Sequence, residues 1–386
     1  MSTFTQSYSP IIINEEIRTS IERIIQLSVD FLEKHAVSPL TEEAYAGDFS
    51  LHTSRTEADL YGMVDAVYIL YILGLLPKRT TRESRAIWAN QILDCQDECG
   101  WFSQKNKRGH SPEHATAYAL GALKLLAVEP QEDYLQKLKP LQFLQPILAD
   151  YNTFLDWIEH LGFEYKLRNI VEKKVGWNHI WRSSHIGGGI PAALYMTGHL
   201  HHEWWPDEVN RQQWFEWYFQ WLNAEVNPNT GYWQRALWNL LYRKPTLIDM
   251  GGAVHFFWIY EALGQPLPYP EQIIQSTLTL QKATGLYKTH PFCIDLDGNF
   301  CISRSYLQLP KAIQSTYETV VYNALEANFR AIVQMLTQNP LTEIYSDLHG
   351  LPGALAALIE CTKLPDFLYT PYLVGWKNPF DRVCWL

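Results

Sequence analysis

The sequence predicts an all-α fold, and three observations lead to this prediction. Helical periodicity of apolar residues runs through most of the 386 residues, whereas the alternating pattern of a half-buried strand is scarce. Amphipathic helices alternate, six times over, with helices that are rich in Ala, Gly and bulky apolar residues. Three short segments that combine an amide residue, a glycine and an aromatic residue also recur along the chain. One domain of six helical hairpins accounts for all three observations.

The periodicity predicts twelve helices. We expect them at residues 15–33, 57–76, 82–95, 112–127, 140–161, 185–197, 208–224, 251–263, 270–281, 296–307, 316–336 and 350–361. The second helix of each pair is the more apolar, so we expect it to be buried. The spacing between these buried helices is too irregular for a solenoid of identical repeats. It suits six hairpins closed into a ring, an (α/α)6 toroid that spans residues 1–386 as a single domain.

The three recurring segments are interpreted as helix ends. They cover residues 96–102, 227–233 and 281–287, and each places a glycine four residues after the amide. We expect Gly100, Gly231 and Gly285 to stop their helices in the left-handed conformation. The aromatic residue that follows would then fold back against the hairpin.

Composition and charge exclude several classes of protein. The chain is 47% hydrophobic and 14% aromatic, which is incompatible with disorder. Its net charge of −10, without a basic stripe, argues against nucleic-acid binding. The longest apolar stretch, residues 66–76, is too short for a membrane span, and the N-terminus lacks the features of a secretion signal. We therefore expect a soluble, cytoplasmic protein.

Polar residues gather at the predicted N-terminal ends of the buried helices, which share one face of a toroid. They are Asp59, Asp65, His110, His114, His185, Asp249, His255, Asp295, Asp297, Asp347 and His349, with Arg304 two turns further on. A single Asp at such a position is commonly an N-cap. A histidine is different, because its cationic form is disfavoured at a helix N-terminus. Five histidines together therefore predict a polar site at this face.

Three chemistries could use this set of residues. Carboxylates with separated pKa values serve glycoside hydrolysis or protonation of an alkene. A histidine with a carboxylate can bind a metal. Histidine, tyrosine and arginine together can abstract a proton next to a uronic carboxylate. The residue types alone leave all three open.

Several of these segments resemble the terpenoid-cyclase and protein-prenyltransferase α/α-toroid superfamily. The glycine-aromatic segments resemble the glutamine-tryptophan repeats of squalene-hopene-type cyclases and of prenyltransferase β subunits. Residues 114–123 are similar to a prenyltransferase inner helix, and residues 296–300 and 346–349 resemble its zinc-ligand segments. The resemblance covers residues 57–361 and implies the toroid fold.

The prenyltransferase branch implies a zinc site and a separate α subunit, neither of which we expect here. Asn299 stands where the family has its zinc-binding Cys, and amide side chains are poor zinc ligands. The positions of two diphosphate-binding cations correspond to Ile294 and Pro291. We therefore expect no cofactor and no α-subunit partner.

The cyclase branch implies acid-initiated chemistry on a hydrophobic, isoprenoid-like small molecule in an aromatic-lined pocket. Residues 295–297 are similar to the first three positions of the class II motif Asp-x-Asp-Asp, and Gly298 stands in place of its final Asp. The resemblance makes Asp297 the acid, Asp295 its carboxylate neighbour and His349 its hydrogen-bond partner. The remaining residues are expected to bind substrate: His114, His185, His255, Asp59, Asp65, Asp249 and Arg304.

Two other functions compete with this one. Many (α/α)6 toroids are carbohydrate-active enzymes, in which case Asp59, Asp65, Asp249 and Asp297 would supply the acid and the base. The chain could also be a non-catalytic binding scaffold whose motif residues serve only as caps. A closed chamber with an acid–histidine pair would favour the cyclase, and a pair of separated carboxylates in an open cleft would favour the glycosidase.

Overall fold

The computed structural model describes residues 15–38, 45–103, 110–161, 177, 180–198, 208–235 and 244–386. Within these ranges the chain forms fifteen α-helices and short 3₁₀ turns. The same ranges contain no β-strand, only two isolated bridges. The all-α prediction is therefore confirmed.

The helices are numbered in chain order. They are α1 Glu15–Glu33, α2 Leu60–Ile72, α3 Leu76–Arg79, α4 Arg82–Leu93, α5 Pro112–Leu126, α6 Gln145–Leu148, α7 Tyr151–Glu159, α8 Ile180–Thr197, α9 Glu208–Glu225, α10 Leu247–Ala262, α11 Pro270–Leu280, α12 Cys293–Gln308, α13 Lys311–Gln338, α14 Leu341–Ile344 and α15 Gly350–Cys361. The predicted bounds 15–33 and 350–361 agree with α1 and α15. Among the described helices, none has both the length and the apolar character that a membrane crossing requires.

Two predicted helices differ from the observed ones for a clear local reason. The helix predicted at 140–161 is split into α6 and α7, because Asp150 adopts an extended conformation and caps α7 by accepting from the Thr153 N–H. The helix predicted at 57–76 begins only at Leu60, because Asp59 is its N-cap. It ends before Gly74, whose φ of 67° is left-handed.

Six helices are buried along almost their whole length, and they alternate with helices that keep an exposed face. The buried helices are α2, α5, α8, α10, α12 and α15. Most are apolar on all sides and so must be enclosed by other elements. The alternation predicted from composition is present.

The buried helices contact one another in chain order. α2 packs on α5, α5 on α8, α8 on α10, α10 on α12 and α12 on α15, and α15 packs back on α2. The intervening helices lie against this group, with α4 on α2 and α5, α11 on α12, and α13 on α12 and α15. The six buried helices thus form a closed circuit of contacts.

The three recurring glycines adopt the predicted left-handed conformation, but they do not end helices. Gly100, Gly231 and Gly285 have φ of 92°, 73° and 90°. The preceding helices α4, α9 and α11 end several residues earlier. Each glycine instead belongs to a tight loop closed by a backbone hydrogen bond across it: Asp97 to Trp101, Asn227 to Tyr232, and Lys282 to Leu286.

The glutamines that begin the first and third of these segments make the same pair of hydrogen bonds. Each side-chain amide donates to the carbonyl of its own loop glycine and to a carbonyl 43 residues further along the chain. Gln96 donates to Gly100 at 3.0 Å and to Lys139 at 3.0 Å, and Gln281 donates to Gly285 at 2.8 Å and to Ala324 at 2.8 Å. A repeated amide therefore joins each loop to the next part of the fold.

The chain after α15 crosses the C-terminal ends of buried helices and then enters the space between them. The Lys377 N–H donates to the carbonyl of Ile72, the last residue of α2, at 2.8 Å. Arg382 donates to the carbonyl of Ala127, just after α5, at 2.9 Å. Trp385 is then fully buried, and its carbonyl accepts a 2.6 Å hydrogen bond from the Tyr68 hydroxyl. The sequence pattern gave no sign of this insertion.

Candidate functional site

Five histidine side chains from four separate segments lie side by side. Ring centroids are 5.0 Å apart from His349 to His110, 4.5 Å from His110 to His114, 4.6 Å from His114 to His185 and 4.7 Å from His185 to His255. We name these five residues the histidine cluster. They are the five histidines that the sequence places near the starts of buried helices, although His255 lies in the middle of α10.

Burial keeps the inner members of the cluster in the neutral form. His114 and His255 are almost completely buried, and desolvation lowers the pKa of each well below its usual range. Neighbouring imidazoles act in the same direction, His110 on His114 and His185 on His255. At neutral pH these rings therefore carry a nitrogen lone pair that is available to a proton or a metal ion.

The tautomer of His255 follows from its hydrogen bonds. The Ser184 hydroxyl donates its single hydrogen to the Trp181 carbonyl at 2.7 Å. The Ser184 hydroxyl oxygen can then only accept a hydrogen bond from His255 Nδ1, which lies 3.1 Å away. His255 consequently carries its hydrogen on Nδ1 and its lone pair on Nε2.

Asp65 is the fully buried carboxylate beside the cluster. Its Oδ1 accepts a 2.7 Å hydrogen bond from the Tyr118 hydroxyl and a 2.8 Å hydrogen bond from His349 Nδ1. Its Oδ2 is buried and has no hydrogen-bond partner among the described residues. A buried carboxylate oxygen without a donor is costly, and such atoms commonly face a ligand, a water or a transferable proton.

The expected pairing of Asp297 with His349 is not found, because His349 hydrogen-bonds to Asp65 instead. α15 packs against both α12 and α2, and His349, at the start of α15, turns its ring to α2. Asp297 is buried on α12, where burial and then the nearby Asp295 raise its pKa well above the usual range. The sequence predicted a hydrogen-bonded pair of an acid and His349. The structure contains such a pair, but its acid is Asp65 and not Asp297.

Asp295 has a structural role that occupies both of its oxygens. Oδ1 accepts from the Tyr287 N–H at 3.1 Å and from the Asn328 amide at 2.8 Å, and Oδ2 accepts from the Phe292 N–H at 3.2 Å. Burial is the main cause that raises the pKa of Asp295 to about 6, and these three donors oppose it. Asp295 therefore fixes the start of α12 against α13.

Two further carboxylates of the predicted set cap their helices. Asp59 accepts from the Gly62 N–H at 2.9 Å and also from the Leu51 N–H at 3.2 Å. Asp249 accepts from the Thr246 N–H at 3.0 Å within a capping box at the start of α10. The sequence left two roles open for a single Asp at a helix start, a helix cap or a site residue. The contacts of Asp59 and Asp249 are those of helix caps.

Arg304 lies towards the opposite end of the buried helices from the histidine cluster. Its guanidinium binds both oxygens of Glu360, at 2.6 and 3.1 Å, and binds Glu261 at 2.6 Å. Both glutamates stand at helix C-termini, those of α15 and α10. Arg304 is the twelfth residue of α12, about 17 Å along the axis from its first residue, so it does not join the predicted site at the N-terminal end.

The zinc site of the prenyltransferase branch does not fit these residues. Asn299 is buried, and its amide donates to Asn328 at 2.8 Å and to the Ala357 carbonyl at 3.0 Å. His349 Nδ1 is bound to Asp65. Two of the three residues that the family resemblance would need as donors are therefore committed to other contacts.

Two tyrosines belong to the site although the sequence analysis did not select them. Tyr61 stacks on His110 with ring centroids 5.4 Å apart, and its hydroxyl lies 3.3 Å from His114 Nδ1. Tyr118 binds Asp65. The signal was present, because Tyr61 is four residues before Asp65 and Tyr118 four after His114, which places each pair on one helix face.

Replacing Asp297 with Asn tests the state of this buried acid. Since the folded protein raises the pKa of Asp297, it holds the proton at pH values where the unfolded chain has lost it. The contribution of Asp297 to stability therefore falls as the pH rises from about 4, the ordinary value for Asp. We expect the Asn variant to gain Tm relative to the wild type at pH 8 and to match it near pH 4.

The measurement is thermal unfolding of both proteins across this pH range, with Asp150→Asn as the control. Asp150 is an exposed N-cap on α7, and its pKa is lowered by backbone hydrogen bonds. A difference in Tm between the Asp297 variant and the wild type that does not change with pH would contradict the buried, protonated acid.

Comparison of the chain with protein-family models, with curated proteins and with solved structures gives no match.

Proposed function

We propose that the chain is an (α/α)6 toroid in one domain, with the six buried helices as its inner barrel. The closed circuit of contacts among these helices supports this arrangement. In a toroid, each outer helix packs on the inner helix that follows it in the chain. Accordingly, α4 packs on α5, α11 on α12 and α13 on α15. In addition, α4 contacts α2, and α13 contacts α12. The site then lies inside the barrel, and the segment that carries Trp385 fills it from the C-terminal end.

Within that barrel the chain acts as a terpene-cyclase-like enzyme that begins its reaction by protonating a hydrophobic, isoprenoid-like small molecule. The observation that carries this proposal is the difference between the surroundings of the two Asp65 oxygens. One of its oxygens is held by Tyr118 and His349, and the other is buried without a partner. Asp65 therefore takes the role of the acid that the resemblance had given to Asp297.

The proposed step is a proton transfer from Asp65 Oδ2 to a carbon of a substrate double bond. The O–H bond breaks, a C–H bond forms with the alkene electron pair, and the neighbouring carbon becomes a cation. The hydrogen bonds from Tyr118 and His349 then stabilise the charge left on the carboxylate. The electron-rich faces of the surrounding aromatic rings stabilise the cation.

Aromatic residues supply these faces around Asp65. The Tyr61 and Tyr118 rings lie 6.0 Å apart, and Trp385 lies 5.5 Å from His114. A glycosidase would need a second carboxylate free to act as base or nucleophile. Asp59 and Asp249 instead accept hydrogen bonds from backbone N–H groups. Burial raises the pKa of Asp297, which disfavours the ionised form that a base or nucleophile needs. Both findings favour the single-acid mechanism.

The experiment incubates purified protein in D₂O with farnesol, geranylgeraniol and squalene, and analyses the products by mass spectrometry. We expect a cyclised product that carries one deuterium from the acid. Asp65→Asn should reduce its formation by about 10²- to 10⁴-fold, the usual contribution of a general acid. Asp150→Asn, which alters an exposed cap on α7, serves as the matched control and should keep the wild-type rate.

Two results would overturn the proposal. Wild-type protein that leaves all three probes unchanged would exclude this substrate class. An Asp65→Asn variant that folds and retains the wild-type rate would exclude Asp65 as the acid.

A further inference from the structure

Three members of the histidine cluster have the arrangement of a metal-ligand set. Imidazole nitrogens of His110, His114 and His185 all lie within 4.8 Å of one another. His110 precedes α5 by two residues, His114 is the third residue of α5, and His185 lies on the neighbouring helix α8. Two adjacent elements of the barrel therefore direct three nitrogen donors to one point.

A tetrahedral zinc ion needs only a small adjustment of these side chains. Zn–N bonds of about 2.0–2.1 Å place the ligand nitrogens about 3.4 Å from one another. The three nitrogens therefore have to move closer than their present spacing of up to 4.8 Å when an ion binds. Three histidines are also a donor set used at catalytic zinc sites, where the fourth position stays open.

We propose that His110, His114 and His185 bind a divalent transition-metal ion, with Zn²⁺ as the expected occupant. Three imidazoles without a carboxylate or carbonyl oxygen select against Mg²⁺ and Ca²⁺, which prefer oxygen ligands. This site shares no ligand with the zinc site that the family resemblance would imply. It also stands independently of Asp65, because it rests on the three imidazoles alone.

The surroundings of His114 suit a metal ligand. A histidine that binds a metal through Nε2 carries its hydrogen on Nδ1, and the Tyr61 hydroxyl lies 3.3 Å from His114 Nδ1, within reach of that hydrogen. The Tyr61 ring also stacks on the His110 ring, with ring centroids 5.4 Å apart, and this contact helps to orient the His110 imidazole.

His255 borders the triad, beside His185. Its ring centroid is 4.7 Å from that of His185, and its Nε2 carries the lone pair because Ser184 takes up Nδ1. A metal held here with one open position would polarise a substrate oxygen or lower the pKa of a bound water.

The test is direct binding of the metal to the full chain. Protein treated with a chelator is titrated with ZnCl₂ by calorimetry, and we expect one ion per chain. His114→Gln and His185→Gln should each weaken binding by at least about 100-fold, because loss of a ligand costs more than loss of an outer partner. His160→Gln removes a histidine from the C-terminal end of α7, outside the cluster, and should bind as the wild type does.

X-ray absorption at the zinc edge of the wild-type protein gives a second measurement that needs no variant. We expect three or four nitrogen scatterers of imidazole type at about 2.0 Å. Absence of stoichiometric binding overturns the proposal, as does binding that survives in folded His114→Gln and His185→Gln. A spectrum with one or two imidazoles also overturns it, because such a site is not the predicted triad.

Discussion

Replacing Trp385 with Ala should lower the free energy of unfolding by about 3–5 kcal/mol, the usual cost of emptying a large buried aromatic site. The indole is fully buried and packs against His255, Trp258 and His114, with centroid distances of 5.1, 5.4 and 5.5 Å. A cavity there would remove one wall of the histidine cluster. We therefore expect the variant to weaken zinc binding as well as stability.

Urea denaturation of Trp385→Ala measures this loss. Val374→Ala is a suitable control in the same segment, because Val374 is 84% exposed, and exposed substitutions usually stay within about 0.5 kcal/mol. Equal stability of the two variants would show that the Trp385 side chain does not fill the space between the buried helices.

Replacing Arg304 with Met should be destabilising by about 3–5 kcal/mol, because it leaves a buried charge without its partner. Glu360 has no exposed surface, and Arg304 binds both of its oxygens. The Glu360 carboxylate also accepts from Ser303 at 2.9 Å and from Asn378 at 2.6 Å. These neutral donors cannot replace the charge of the guanidinium.

A double variant separates this charge effect from simple loss of packing. Arg304→Met combined with Glu360→Met removes both charges and should recover much of the lost stability, since apolar replacements of buried pairs are often neutral. Arg330→Met breaks an exposed pair with Glu326 and should cost less than about 1 kcal/mol. Thermal unfolding of the three variants gives the comparison, and a double variant no more stable than Arg304→Met alone would contradict the explanation.

The helices could be predicted from the sequence because their signals are local. Apolar spacing located α1 and α15 at their observed bounds, and the glycines at 100, 231 and 285 indicated left-handed turns. The same local pattern missed the break at Asp150, since the residues on either side of it continue a helical period. The side-chain cap at Asp150 determines where the helix breaks. Hydrophobic periodicity carries no information about such caps.

The site could be predicted only in part, because its decisive contacts are not local. The preference against histidine at helix N-termini selected all five members of the cluster, but it selected His255 through a helix start predicted at residue 251, whereas α10 begins at Leu247 and His255 lies in its middle. It could not pair His349 with Asp65, which lies 284 residues away. The choice between Asp65 and Asp297 depends on which neighbouring helix the His349 ring faces, and a sequence motif on α12 does not contain that information. Arg304 was misplaced for a simpler reason, since the rise of the helix already carries it towards the far end.

The hydrogen bond between Tyr68 and Trp385 joins residues 317 positions apart, and this has a consequence for how the chain folds. The helix α2 cannot complete its native contacts until residue 385 has been synthesised and has left the ribosome. Until then, the apolar residues that later pack against the segment around Trp385 stay exposed. A contact between residues so far apart in sequence closes a long loop, and the entropy cost of that closure favours its late formation in folding. The segment around Trp385 thus determines when helix α2 reaches its native packing.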